Sequence, residues 1–431
     1  MKSNDNSRYA QPTVFTHELP NGLRIIHQPF PSEISYCGIV INTGSRDEFP
    51  DEHGMAHFVE HLLFKGTKKH SAKDLAELVE ASGSSMNAYT SRDYTCFYVK
   101  ALDEHLDLAI SVLSEMVTES TFADELIDRE RQVVLEEIKM YLDSPEELVH
   151  DLFSQSILGD NPLGQSIIGT EATVASFNQK IILEYFRRMY VPENMVFVVV
   201  GNVVHAEVEK LVSQYLGEMQ GSLSKYVGPH PQVSSGLLVE KKDIEQVHLV
   251  LGTDSVGRQD KRKYALHLLD TIIGGSMSSR LFQSLREERG LVYSTYSFHS
   301  YYDELGFLGI YAGYSPENND QVTDLIIKEL LALQDNLTEG ELQRAKEQSK
   351  GALVFALESP SARMTRLARN ELYQKEQVSE ETVLQEINKT TLDDIKALAE
   401  YHFNSNKVLS MAIIVPNNSN LDKPKKLTWE V

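Results

Sequence analysis

A chain of 431 residues, 41% hydrophobic and 24% charged, has the length and composition of a soluble globular protein of two or three domains. Its formal net charge of −22 argues against nucleic acid and anionic membrane as partners, since both are bound through cationic surface, and it suits cationic peptides. No stretch approaches the about 20 apolar residues that span a bilayer, and the first twenty residues carry neither an apolar core nor a small-residue cleavage pattern, so a cytoplasmic location is expected.

In chain order, a strand (GIVINTGS) leads to a helix over Met55–Phe64 and then to a helix over Ala72–Ala81 with Ser71 as its N-cap. A strand pair over Met86–Leu102 follows, and then helices over Asp103–Ser120 and Ala123–Leu142. Cys37 and Cys96 fall in strand-like runs without CxxC spacing; they read as reduced, buried thiols and exclude a cysteine zinc site. Gly217–Gly236 is rich in Gly, Ser and Pro and lacks apolar periodicity, so it reads as a linker between 1–216 and 237–431. The second half repeats the order: a strand (VHLVLGT), helices over Arg262–Ile273 and Ser278–Glu288, a strand pair over Val292–Tyr314, and helices over Gln321–Gln334 and Glu339–Leu357. With Phe122 set against Leu337, Leu142-Asp143-Ser144-Pro145 falls without a gap on Leu357-Glu358-Ser359-Pro360. A long helix and its Ser-Pro stop shared in this way indicate a duplicated domain. The copies differ in charge: Glu130 and Glu137 of the first correspond to Ala345 and Ala352 of the second.

The chemistry lies in His57-Phe58-Val59-Glu60-His61. Residues four apart on a helix share a face, with Cβ atoms roughly 5–6 Å apart, so the two imidazoles can reach one zinc ion. Glu60, three residues after His57, is placed to take a proton from an activated water; this is the reversed form of HExxH. A catalytic zinc needs a third protein ligand, and a carboxylate is a common choice beside two imidazoles. Within RERQVVLEEIKMYL, Glu130 and Glu137 stand two helical turns apart on one face; Glu137 is the candidate ligand, and the adjacent Glu136, roughly 100° away, the weaker one. The phosphate-loop-like glycine spacing of GTDSVGRQ lacks the Lys and Ser/Thr of such loops, and no GxSxG nucleophile elbow is present.

These residues resemble the M16 group of metallopeptidases (the pitrilysin, insulinase and mitochondrial processing peptidase family), closest in length to its bacterial processing-peptidase-like members. The resemblance runs from LPNGLRI at Leu19 to Ser359-Pro360 and rests on HFVEH with FKGT after it, on VVLEEI with Glu137 at the family's spacing beyond His61, and on GGSMSSRLFQSLREERGLVYSTYS. It implies an α+β fold of two homologous domains, each a mainly antiparallel β-sheet covered by helices. It implies one zinc per chain, Glu130 as a supporting carboxylate, Arg286 and Tyr293 as catalytic groups reaching from the metal-free half toward the substrate carbonyl, and Asn87-Ala88 as the edge-strand segment where an extended peptide docks. The family closes a chamber from four such domains, so a homodimer is expected, with Arg286 and Tyr293 acting on the partner's site. The short Gly274-Gly275, where metal-free partner subunits carry a long glycine-rich loop, fits a chain that acts as its own partner and leaves a heterodimer open. The expected activity is zinc-dependent endopeptidase action on peptides or unfolded segments. Its rivals are a non-catalytic assembly or chaperone-like subunit, which would have lost its ligands, and a zinc hydrolase of other substrates. A His₂Glu site also accepts cobalt or manganese.

Overall fold

The computed structural model describes residues 13–226, 228–419 and Trp429. In chain order the strands are β1 (Phe15–Glu18), β2 (Arg24–Pro29), β3 (Ile34–Ile41), β4 (Ser85–Thr90), β5 (Thr95–Leu102), β6 (Met195–Gly201), β7 (Leu237–Lys242), β8 (Val247–Ser255), β9 (Val292–Tyr301), β10 (Gly306–Tyr314) and β11 (Ser410–Pro416). They form a six-stranded sheet, β1-β2-β6-β3-β5-β4, and a five-stranded sheet, β7-β11-β8-β10-β9. Every pairing is antiparallel except β2 with β6 and β7 with β11. Without β1, the first sheet has the strand order and sense of the second. The duplicated α+β architecture with antiparallel-dominated sheets, expected from the sequence, is therefore present.

Contacts divide the chain into two compact units that interleave along it. The first comprises the chain up to Ile138, Ser166–Gly228 and Val354–Ser379; the second takes Lys139–Gln165, Pro229–Leu353 and the chain from Glu380 on. The division of the sequence at 217–236 is a division of the chain, whereas the units are a division of the packing. Their difference comes from two helices that follow the Ser-Pro stops. The helix Pro145–Leu158 lays Leu148, Val149, Phe153 and Ile157 on the sheet face of Val250, Phe307, Tyr311, Ala412 and Ile414 in the second unit. Its counterpart Pro360–Gln374 lays Met364, Leu367 and Ala368 on Ile26, Val40, Cys96, Val196, Val198 and Val200 in the first. Each sheet is thus covered on one face by a helix from the other half of the chain.

Both faces of these sheets are buried, which explains the unbroken apolar run of β6. Val196, Val198 and Val200 alternate with Phe197 and Val199, and the second set faces a core shared with Ile39, Phe97, Phe58 and Leu62. Burying each such side chain is worth about 1.5–3 kcal/mol. Cys37 and Cys96 are free and buried in this sheet, as their strand context suggested, and burial pushes both thiols up to about 12, which leaves neither available as a nucleophile.

Most helix bounds fall within a residue or two of expectation: Met55–Leu63, Ala72–Ala81 with the Ser71 hydroxyl accepting from the Asp74 N–H, Asp124–Leu142, Lys263–Ile273, Asn319–Asn336 and Glu339–Leu357, while the helix expected from Asp103 starts at Leu106, after a tighter turn over Asp103–His105. The stretch expected as a helix over Ser278–Glu288 differs. It winds into a wider π turn at Phe282–Glu287, where the Glu288 N–H donates to the Gln283 carbonyl at 2.9 Å. No helix among the described residues is long and apolar enough to cross a membrane.

Candidate metal centre

The helix Met55–Leu63 is almost wholly sunk in the first unit, with Met55, Ala56, Phe58, Val59, Leu62 and Leu63 buried. Its start is built from outside the helix. Gly54 sits at φ 91, and a Cβ there would meet the Ile168 carbonyl oxygen at 2.7 Å, so glycine is required on both counts. Glu48, fully buried, accepts from the Gly54 N–H (2.9 Å) and the Ala56 N–H (2.7 Å), satisfying two donors that a helix N-terminus leaves open. Burial holds the Glu48 carboxyl well above the usual carboxylate range.

On this fixed helix the rings of His57 and His61 stand 4.6 Å apart. The helix Asp124–Leu142 brings Glu137 to both: Oε1 lies 3.6 Å from His57 Nε2, and Oε2 lies 3.5 Å from His61 Nε2. Among the described residues, His57, His61 and Glu137 form the group of ligand atoms able to hold a metal, all within 4.8 Å of one another. Donors that share one tetrahedral ion at about 2.0–2.1 Å lie roughly 3.4 Å apart, so the observed separations fit. The two imidazoles differ in protonation: burial opposes the charge on His61, but the hydrogen bond to Glu130, with the charges of Glu137, Glu130 and Glu60, outweighs burial and raises His61. Burial, with His61 beside it, lowers the His57 imidazole to about 3, which keeps it neutral, as a ligand must be.

Glu130, two turns before Glu137, accepts at Oε1 from His61 Nδ1 at 2.8 Å and at Oε2 from Lys65 Nζ at 2.8 Å. Burial opposes its charge, but His61 and Lys65 outweigh that and hold it below the usual carboxylate range. A proton on His61 Nδ1 leaves Nε2 free to face Glu137. Glu60 lies on the same helix, and its Oε2 accepts from the Thr90 hydroxyl at 2.5 Å; burial raises its carboxyl, with that hydrogen bond acting the other way.

Asn87 and Ala88 lie on β4, the edge strand of the first sheet, opposite Tyr98 and Phe97 of β5. Thr90, which holds Glu60, ends the same strand. Arg286 and Tyr293 belong to the second unit, where they meet each other: the guanidinium carbon lies 5.8 Å from the Tyr293 ring centre and 5.1 Å from that of Phe282. Tyr293 is 73% exposed at the start of β9, the edge strand of the second sheet. Sequence reasoning missed Glu48, Thr90 and Lys65. Lys65 at least stood in the FKGT run beside the histidine motif, whereas nothing in the spacing of Glu48 or Thr90 pointed to a partner.

Comparison with known proteins bears on this site. Residues 24–171 match the family pattern described as Insulinase (Peptidase family M16), and residues 176–349 match that described as Peptidase M16 inactive domain. The uncharacterized zinc protease YmxG of Bacillus subtilis is 39% identical over 93% of this chain and 97% of its own length. The uncharacterized zinc protease SCO5738 of Streptomyces coelicolor is also 39% identical, over 90% of this chain and 86% of its own. In fold, the chain is similar to a protease from Helicobacter pylori, with a TM-score of 0.88, 24% identity, and coverage of 94% of this chain and all of that one.

Proposed function

This chain belongs to the M16 peptidase family, and from that premise we propose that it is a zinc-dependent endopeptidase whose metal is held by His57, His61 and Glu137. The observation that carries the reading is the convergence of two imidazole Nε2 atoms on one carboxylate, with a neutral His57 and a His61 fixed by Glu130. When bound, zinc would supply Lewis acidity and lower the pKa of water toward about 7. Glu60 takes the proton of the attacking water and delivers it to the leaving amine; Thr90 holds one of its oxygens and leaves the other to do this. The peptide lies extended along the free edge of β4 at Asn87 and Ala88, where strand addition supplies backbone hydrogen bonds without demanding a particular sequence. Arg286 and Tyr293, already packed together and exposed, donate to the developing oxyanion.

The chain works as a homodimer in the cytoplasm, one zinc per chain, with Arg286 and Tyr293 serving the partner's site. The substrates are peptides or unfolded segments that thread to the β4 edge. Metal analysis paired with turnover of a quenched random peptide library, on wild type and Glu60→Gln, tests the reading. About one zinc per chain in both proteins with cleavage by wild type alone is expected. Zinc-free, folded wild-type protein would instead favour a non-catalytic assembly subunit. Action in trans has its own test: mixing Glu60→Gln with Tyr293→Phe chains should recover activity through hybrid dimers, and no recovery despite confirmed subunit exchange would place both groups in cis.

A further inference from the structure

We propose that Lys65 is a positioning residue for the metal centre, acting through Glu130 to hold His61 in its ligating orientation; this rests on the zinc reading above. The helix Met55–Leu63 ends just before it. Phe64 caps the helix, and the Lys65 N–H closes a tight turn on the Leu62 carbonyl at 3.0 Å. Gly66 then turns the chain away at φ 128. Ending the helix there sends the Lys65 side chain back across the turn of His61 to Glu130 of the neighbouring long helix.

The geometry around Glu130 is tight. Its side chain is only 3% exposed, between the buried Ile127 and Val134 of its own helix. A carboxylate in such a place is costly unless both oxygens are engaged. Oε1 receives the His61 Nδ1–H and Oε2 receives the Lys65 ammonium, each at 2.8 Å. Each donor holds one oxygen of the carboxylate, so its plane, and with it the tilt of the His61 ring, is set by the pair rather than by His61 alone. Without Lys65, Oε2 loses its ammonium donor while the side chain stays buried, and the carboxylate gains by rotating away from His61.

Competition against a fluorescent chelator measures the zinc dissociation constant directly and needs no turnover. Lys65→Met, which keeps the apolar stem, should weaken zinc binding about tenfold. Lys65→Arg, which restores a cation, should bind within about threefold of wild type on the same scale. In a Glu130→Gln background, Lys65→Met should have almost no further effect, because its route to His61 is already cut. Wild-type affinity in Lys65→Met, or the same loss with and without Glu130, would overturn the proposal while leaving the zinc site standing. A merely structural role would show as equal loss in both backgrounds with lowered melting temperature in Lys65→Met and Lys65→Arg alike. Wild-type protein that binds no zinc would remove the metal reading itself, and this inference with it.

Discussion

The two halves share a strand order, a Ser-Pro stop and an exchanged covering helix, yet among the described residues only one collects ligand atoms. In the first, the long helix carries Glu130 and Glu137 toward a helix bearing two histidines. In the second, the corresponding long helix has Ala345 and Ala352, and the helix following β8 buries Leu266, Leu268, Leu269 and Ile272. Ala345, 2% exposed, packs into an apolar core and needs no partner. Glu130, equally buried, needs an imidazole on one oxygen and an ammonium on the other. Polar chemistry in a core is therefore maintained by a chain of contacts, and where no ligand carboxylate is carried an apolar solution takes its place. What the second half keeps instead is an exposed Arg286–Tyr293 pair beside a π turn.

Copying the second half into the first is the strongest way to break this contrast. Glu137→Ala, which reproduces Ala352, should abolish stoichiometric zinc binding and lower peptide hydrolysis by several orders of magnitude, measured by metal analysis and peptide turnover. Glu130→Ala, which reproduces Ala345, leaves His61 Nδ1 without its acceptor and should weaken zinc affinity about 10–100-fold; chelator titration at unchanged helical content would show it. If Glu130→Ala binds zinc like wild type, His61 needs no anchor and the contrast between the halves rests on Glu137 alone.

The exchanged helices offer a test on stability. Phe153, 1% exposed under the second sheet, should cost about 3–5 kcal/mol when cut to alanine, seen as a lower denaturation midpoint. Because Phe153 comes from the first half of the chain and stabilises the second sheet, fluorescence probes placed in the second unit should report the loss.

The smallest expected effect is on acid stability. Burial lowers His402 to about 4, with Lys407 adding to that, and its Nδ1 is tied to the Asp254 carbonyl at 3.2 Å. A folded-state value below the ordinary 6.5 means that the unfolded chain binds the extra proton first as the pH falls. The stability from keeping His402 neutral is full above about 6.5 and is lost as the pH drops toward about 4, at most about 3 kcal/mol. His402→Gln should flatten that part of the stability–pH curve; an unchanged slope would assign the acid sensitivity to other groups.

Much of the site could be read from the chain because it is local. His57, Glu60 and His61 announce themselves by helical spacing, and Glu137 by sharing a face with Glu130 in a helix that was plain from its periodicity. What stayed hidden is non-local. Glu48 caps a helix from outside it, Thr90 reaches Glu60 from the end of a strand, and Lys65 finds Glu130 across two helices. The exchange of Pro145–Leu158 and Pro360–Gln374 was hidden for a related reason: an apolar helix face says that it must be covered, not which sheet will cover it. The π turn at Phe282–Glu287 differs from an α-helix only in which carbonyl each N–H selects, and side-chain pattern does not encode that choice.

Anomalous diffraction at the zinc edge, on crystals of the zinc-loaded protein, addresses the contrast between the halves most directly. The expected result is one peak per chain, bounded by His57 Nε2, His61 Nε2 and Glu137, and no peak in the second unit. A peak elsewhere, or none in protein that is fully folded and zinc-saturated, would contradict the assignment of the metal to these three residues.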